Sequence, residues 1–193
     1  MALSHLAISL QIADVETETS KEAKVARVFF DTVRDATLSD AEWPWARKTT
    51  NLSLIETNPN DEWLYSYAYP SDCVKAIKIP SGYEPDTNST KIKYEINGDN
   101  SYGSVIYTNA ESAQLKYIYR HTDIDRWPSD FILSMAYHLA FYMAPQLTAG
   151  DQHKLGERAI KLYQIQLSKA KKKAFNDEVT DEDVMSDSEA ART

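Results

Sequence analysis

The sequence predicts an α+β chain: a helical bundle from N- and C-terminal helices with an inserted, mainly antiparallel β module. Three observations predict it. Apolar residues recur at helical spacing before Ala46 and after Trp127, and at strand spacing between them. Trp63, Tyr65, Tyr67 and Tyr69 fall on one parity, the mark of a strand with two unlike faces. Loops containing Gly and Asn join the neighbouring strand-like runs, so antiparallel pairing is the natural connection. The divisions are 1–45 with 127–175 for the helices, 46–126 for the β module and 176–193 for an acidic, flexible C-terminal tail.

Leu3, Leu6, Ala7 and Leu10 form one apolar stripe, which predicts a short first helix from Leu3 to Ala13. The acidic, turn-rich stretch Asp14 to Thr19 ends it. Thr19-Ser-Lys-Glu22 reads as a capping box, in which hydroxyl and carboxylate satisfy unpaired amides. The next helix is expected from Ser20 to Ala36, with Ala23, Ala26, Phe29, Phe30 and Val33 facing inward. Ser39 and Asp40 open a further turn that delivers Trp43-Pro44-Trp45.

Leu52 and Leu54 then mark a strand, and Thr57-Asn-Pro-Asn-Asp61 a loop of turn formers. The tyrosine strand follows. Pro70-Ser71-Asp72 breaks it, and a second strand carries Val74, Ile77 and Ile79, so the stretch Trp63 to Pro80 reads as a hairpin-like unit. After another loop, Ile92, Tyr94 and Ile96 alternate strictly and Asn97-Gly98 starts a turn. Val105 to Thr108 and Gln114 to Arg120 complete about five or six strands.

Helix resumes at Trp127-Pro128, since proline suits a first turn where its missing amide costs nothing. Ile132, Met135, Ala136, Leu139, Ala140 and Met143 share one face, and Pro145 ends or kinks the helix. Gly150-Asp151 offers a break and a cap. The last helix is expected from Gln152 to Phe175. Leu155, Ala159, Leu162 and Ile165-Gln166 lie on one side, with Ile160, Tyr163, Leu167 and Ala170 on an adjacent stripe.

At 193 residues the chain can hold one good core. It has no apolar run long enough to span a membrane. Its start, Met1-Ala-Leu-Ser-His5, lacks the basic region of a secretion signal, so Asn51-Leu-Ser and Asn88-Ser-Thr read as chance glycosylation matches. The single cysteine, Cys73, rules out an internal disulfide framework. Net charge is −8. From Asn176 onward seven acidic residues face only Arg192, so that segment carries −6 and leaves the body near −2. Just before it stand Lys169, Lys171, Lys172 and Lys173. This arrangement suits either favourable lysine charge at a helix end before a solvated terminus, or a segment that orders on a partner.

The residues offer no catalytic constellation and imply no cofactor or metal. His5, His121, His138 and His153 are dispersed without ligand spacing. His138 falls within an apolar-rich helix and reads as a packed side chain. His121-Thr-Asp-Ile-Asp125 reads as a polar loop. Asp181-Glu-Asp183 lacks the glycine and distal glutamate of a calcium loop. Cys73 reads as a small buried hydrophobe. A slightly acidic body does not grip nucleic acid, although it suits a surface past which DNA slides. Twelve tyrosines and four tryptophans exceed what a plain small core requires. They serve either strand packing or subunit contact, and pattern alone does not choose.

Several segments, in order, resemble one family. They are Ser20-Lys-Glu-Ala23 through Phe29-Phe-Asp-Thr-Val-Arg-Asp35, Trp43-Pro-Trp-Ala-Arg-Lys48 and Tyr65-Ser-Tyr-Ala-Tyr-Pro-Ser-Asp-Cys-Val74. Tyr94-Glu-Ile-Asn-Gly98, Ile106-Tyr-Thr-Asn109, Leu115-Lys-Tyr-Ile-Tyr119, Thr122-Asp123 and Trp127-Pro-Ser-Asp-Phe131 follow, before the helical stretch Ala136 to Thr148. Together they resemble the tail tubular protein A family of short-tailed phages, the head-to-tail adaptors, over about Leu3 to Phe175. Pro44-Trp45 departs from the family pattern, and the acidic tail has no counterpart in it.

The resemblance implies a non-enzymatic virion protein of the tail or neck, assembled in the host cytoplasm. It implies a homo-dodecameric ring between the portal protein and the tail nozzle or tube, with a lumen through which DNA passes. Lys169, Lys171, Lys172, Lys173 and Phe175 are the expected portal contacts. Tyr65, Tyr67 and Tyr69 are the expected subunit or tail contacts. Some related adaptors are credited with cell-wall hydrolysis, which makes a tail-associated peptidoglycan hydrolase the alternative.

Overall fold

A computed structural model describes residues 1–82, 90–151 and 153–178, with backbone alone for 174–178. Over these residues the chain is mixed α and β, with four α-helices and two antiparallel sheets. The order is α1 (Ala2–His5), α2 (Lys21–Asp40), β1 (Arg47–Asn51), β2 (Leu54–Thr57), β3 (Tyr65–Ala68), β4 (Cys73–Lys78), β5 (Tyr94–Asp99), β6 (Gly103–Thr108), β7 (Gln114–Tyr119), α3 (Ser129–Leu147) and α4 (Leu155–Glu178). Single 3₁₀ turns, Pro44–Ala46 and Ile124–Arg126, mark the two crossings between helices and strands.

The first helix is shorter than its apolar stripe. Ala7 takes a left-handed φ of 58°, its amide returns to the Ser4 carbonyl at 3.2 Å, and the Ile8 amide returns to Leu3 at 3.1 Å. That pair of bonds closes a helix. Alanine in this conformation costs about 1 kcal/mol, which burial of Leu3 and Leu6 offsets, while Leu10 is left exposed. The cap of α2 is Ser20, one residue later than expected, whose Oγ accepts the Ala23 amide at 3.2 Å. Glu18 backs it, accepting the Ser20 hydroxyl at 2.7 Å and the Ala13 amide at 3.1 Å. α2 then runs through Ser39 and Asp40 without a new turn, because Thr37 and Leu38 are fully buried on its inner face.

The hairpin reading of Trp63 to Pro80 is overturned. β3 belongs to a four-stranded sheet of order β2-β3-β6-β5, and β4 to a three-stranded sheet of order β1-β7-β4. Pro70-Ser71-Asp72 is therefore a crossing between sheets. Pro70 has no amide to extend β3, and its carbonyl accepts the Cys73 amide at 2.9 Å. Asp72 is held on the β7 side, its carbonyl accepting the Arg120 amide at 2.7 Å. The strand expected around Leu52 and Leu54 also divides, into β1 of one sheet and β2 of the other. Asn97-Gly98 lies inside β5. The turn comes after Asp99, whose carboxylate accepts the amides of Ser101 at 2.7 Å and Tyr102 at 2.9 Å before Gly103 takes a φ of 75°.

β7 separates two cores. Leu115 and Tyr117, 0% and 1% exposed, belong to a cluster between the sheets with Tyr67, Cys73, Ile79 and Ile106. Ile118, on the opposite parity, joins the helical cluster with Val33, Leu38, Met135 and Met143. The three-stranded sheet is thus covered by helices on one face and by the other sheet on the other.

Pro128 is the cap of α3, just outside the helix, and Pro145 lies within its last turn. Gly150, at φ 82°, helps turn the chain toward α4. The Asp151 carboxylate accepts the Gly156 amide at 3.0 Å, the capping role expected of it. α4 begins at Leu155 and runs three residues past Phe175, to Glu178. Ala159, Tyr163 and Ala170 form its buried seam; Ile165, expected inside, is 54% exposed.

Both crossings between helices and strands meet at one aromatic joint. Phe131, 0% exposed, sits edge-on to Trp43 at 5.1 Å, Trp45 at 5.0 Å and Trp127 at 5.0 Å. Trp43 Nε1 donates to the Thr37 carbonyl at 2.9 Å and Trp127 Nε1 to the His121 carbonyl at 3.2 Å. Trp43 and Trp127 thus bury their rings while keeping their polar edges paired, whereas Trp45 Nε1 is buried without a hydrogen-bond partner among the described residues.

Candidate interaction surfaces

The lysines near the C-terminus occupy the last turns of α4. Lys169, Lys171, Lys172 and Lys173 are all exposed, around the buried Ala170. Helical geometry places Lys169, Lys172 and Lys173 on one arc and Lys171 on the other flank. Lys173 Nζ lies 3.9 Å from the Asp130 carboxylate in the first turn of α3. Beside this pair is a cleft of about 200 Å³ lined by Trp43, Pro44, Trp45 and Pro128. The backbone of Phe175 is helical, and its side chain lies outside the described residues, as do residues 179–193 of the acidic tail.

The tyrosine triplet is divided. Tyr67 is 2% exposed, its hydroxyl donating to the Ala110 carbonyl at 2.9 Å and accepting the Ala113 amide at 3.4 Å. Its ring fills the space between the sheets, which overturns it as a surface contact. Tyr65 and Tyr69 are half-buried against the same cluster. The parity that puts three tyrosines on one face was correctly visible in the sequence, but that face meets the other sheet.

Cys73 Sγ is 3.0 Å from the Tyr69 hydroxyl. Burial pushes the thiol up, and burial followed by the Cys73 contact pushes the Tyr69 phenol well above its ordinary value. Both stay protonated and neither is poised as a nucleophile.

Asp72, inside the tyrosine-proline-aspartate stretch, has a function that spacing did not reveal. Its carboxylate accepts Tyr117 Oη at 2.8 Å and Lys48 Nζ at 2.9 Å. Burial raises the carboxyl, but the Lys48 and Tyr117 hydrogen bonds outweigh it and hold the acid below the usual carboxylate value. The cluster fastens the sheet-to-sheet crossing to β1 and β7. Asp72→Ala strips the largely buried Tyr117 hydroxyl of its partner. A loss of about 1–3 kcal/mol in denaturant unfolding is expected, with little change for Lys48→Ala at the exposed end of the cluster.

His138 is buried, as its helix position suggested. Its Nδ1 is 2.9 Å from Thr37 Oγ1, and its ring stacks on Tyr163 at 4.2 Å. The Thr37 hydroxyl also reaches the Val33 carbonyl at 2.7 Å, so its hydrogen is committed there and Nδ1 is the donor to Thr37. Tyr163 in turn donates to Asp40 at 2.6 Å, linking α4 to the end of α2. Burial lowers the His138 pKa and outweighs the opposing attraction of Asp40. A depressed histidine favours the folded state fully above the unfolded value of 6.5, and that contribution falls away as pH drops through the folded value. Unfolding midpoints should therefore fall between pH 7 and pH 5. His138→Gln should flatten part of that slope, with His5, also lowered chiefly by burial, contributing to the rest.

Two further grooves lie elsewhere. One of about 590 Å³ runs beneath the N-terminal segment, lined by Met1, Leu3, Ile8, Ile12, Phe30 and Met143. Another of about 640 Å³ is bordered by Glu62, Trp63, Lys91, Lys93 and Asn109. Among the described residues no cluster of three or more His, Cys, Asp or Glu is arranged to hold a metal ion. No helix among them is long and apolar enough to cross a membrane.

Compared with known proteins, the chain matches no family model and no curated protein.

Proposed function

We propose that the chain is a structural virion protein, a head-to-tail adaptor that forms a ring between the portal and the tail or nozzle and leaves a lumen for DNA. The observation that carries this reading is the location of the resembling motifs. Trp43, Trp45, Trp127 and Phe131 build the joint between helices and sheets. Tyr67 and Asp72 build the joint between the sheets. A chain in which these six motif residues stiffen the junctions of its layers suits a part that must hold its neighbours in a set geometry.

In this reading the helices form the bundle that faces the portal, and the strands form the inserted module that meets the nozzle. Lys169, Lys171, Lys172 and Lys173, with the segment from Phe175 onward, make the portal contact. The exposed lysines stand on the last turns of α4, where Lys169 and Lys172 can meet an acidic portal surface beside the Lys173–Asp130 pair. Tyr65 and Tyr69 contribute to tail or neighbour contact only through their half-exposed edges.

Size-exclusion chromatography with and without the phage's portal ring tests the proposal. The full chain should move to ring mass with the portal, and a chain truncated after Phe175 should fold but not dock. A persistent monomer in the presence of portal would count against the ring. Undiminished docking of the truncated chain would remove the tail from the contact. Clearing on a peptidoglycan zymogram would favour the tail-associated hydrolase.

A further inference from the structure

A row of apolar side chains crosses the four-stranded sheet from edge to edge. Leu54 on β2 stands opposite Tyr67 on β3, Tyr67 opposite Ile106 on β6, and Ile106 opposite Ile96 on β5. All four therefore point to one face. The inner pair, Tyr67 and Ile106, are 2% and 0% exposed, whereas Leu54 and Ile96 at the ends are 53% and 43% exposed. β2 and β5 are the end strands of this sheet and have no further strand partner among the described residues. Because every neighbouring pair is antiparallel, the two end strands run in opposite directions. A second copy set beside the first in the same orientation therefore brings its β2 antiparallel to β5. It also brings its Leu54 beside Ile96, on the same face and in the same row.

We propose that successive copies join head to tail by β5–β2 edge pairing, with Ile96 of one copy against Leu54 of the next. The inference rests on the ring reading above, since a heterologous contact repeats until it closes around an axis. It names a neighbour contact beyond the half-exposed edges of Tyr65 and Tyr69.

The charge pattern explains why free chains would not polymerise. Glu56 stands opposite Ser66, Ser66 opposite Tyr107, and Tyr107 opposite Glu95. On the other face, the same register therefore sets Glu95 beside the next copy's Glu56, and like charges placed opposite each other resist pairing. β2 is also only four residues long and is bulged between Leu54 and Glu56, a form that discourages uncontrolled edge addition. Pairing then needs the local concentration that docking on a portal ring supplies. Two-fold pairing of β5 with itself is the competing arrangement; centred on Asn97 it sets Glu95 against the other copy's Asp99, a like-charge pair on one face of that strand.

Thiol crosslinking on portal-assembled protein tests the contact. Leu54→Cys and Ile96→Cys are made singly and together; both sites are exposed enough to accept the change. The unchanged chain, with its buried Cys73, is the control. Directly opposed residues on paired strands lie near disulfide reach. Mild oxidation should give a ladder of covalent multimers for the double variant and none for either single variant. Adding Glu95→Lys to the double variant should raise the crosslinked fraction by converting a like-charge pair into an opposite one. Dimers from Ile96→Cys alone would establish two-fold pairing and overturn the proposal. Rings that form on the portal while the double variant stays uncrosslinked would overturn the edge contact and leave the ring standing. A double variant and an unchanged chain that both stay monomeric with portal would overturn the ring and the edge contact together.

Discussion

Phe131→Ala is expected to lower the stability of the isolated chain by about 3–5 kcal/mol, the cost of removing a buried aromatic ring and leaving a cavity. The expectation rests on position as much as on size. Phe131 is 0% exposed and touches three tryptophan rings edge-on, contributed by the end of the α2 segment and by the return from β7. Each such pair adds about 0.5–1.5 kcal/mol beyond the area it buries. Rigid indoles cannot readily collapse into the gap, so the cavity persists. Domains of this kind hold about 5–15 kcal/mol in total, so the variant should unfold at a far lower denaturant concentration. Tryptophan fluorescence reports directly on the joint. Near-native stability with unchanged fluorescence would show that the joint is not where the layers are held together.

Tyr67→Ala is expected to cost about 3–5 kcal/mol as well, comparable to other buried aromatic truncations, and to do so in the isolated chain. This separates core from interface. An interface tyrosine would leave monomer stability nearly unchanged and weaken assembly alone. Tyr67→Phe divides the effect further. The phenylalanine keeps the ring but removes the hydroxyl that joins the Ala110 carbonyl to the Ala113 amide, and a loss of about 1–2 kcal/mol is expected. Tyr65→Ala should cost less than Tyr67→Ala, since Tyr65 is only half-buried. Equal unfolding midpoints for the Tyr65 and Tyr67 variants would contradict the assignment of Tyr67 to the inter-sheet core.

Element types and order were largely legible because they are local. Period-two alternation in Tyr65–Ala68 and Gln114–Tyr119, and the apolar stripes of α2 and α3, follow from which side chains must leave water together. Boundaries were less legible. Ser20 displaced Thr19 as the cap, and Ala7 ended α1, because those outcomes turn on single backbone conformations that more than one sequence position can adopt. The candidate contacts were legible only as residue classes. The lysine cluster is exposed as expected, yet Lys171 leaves the arc of its neighbours.

What lies within the chain's own chemistry is the division into helix, strand and helix, the tyrosine-bearing face of β3, and the concentration of charge after Asn176. Each depends on neighbours a few residues apart. What packing alone decides is which strands become partners. Pro70-Ser71-Asp72 looks locally like a hairpin turn, but the Lys48 and Tyr117 contacts to Asp72 come from residues 24 and 45 positions away, and they draw β4 to the other sheet. That one transfer buries the tyrosine face between two layers. Among the described residues it leaves β2 and β5 as the end strands of their sheet, with Leu54 and Ile96 exposed at either end of a buried row. No periodicity encodes that outcome, because it arises when two surfaces made from distant segments compete for the same apolar face.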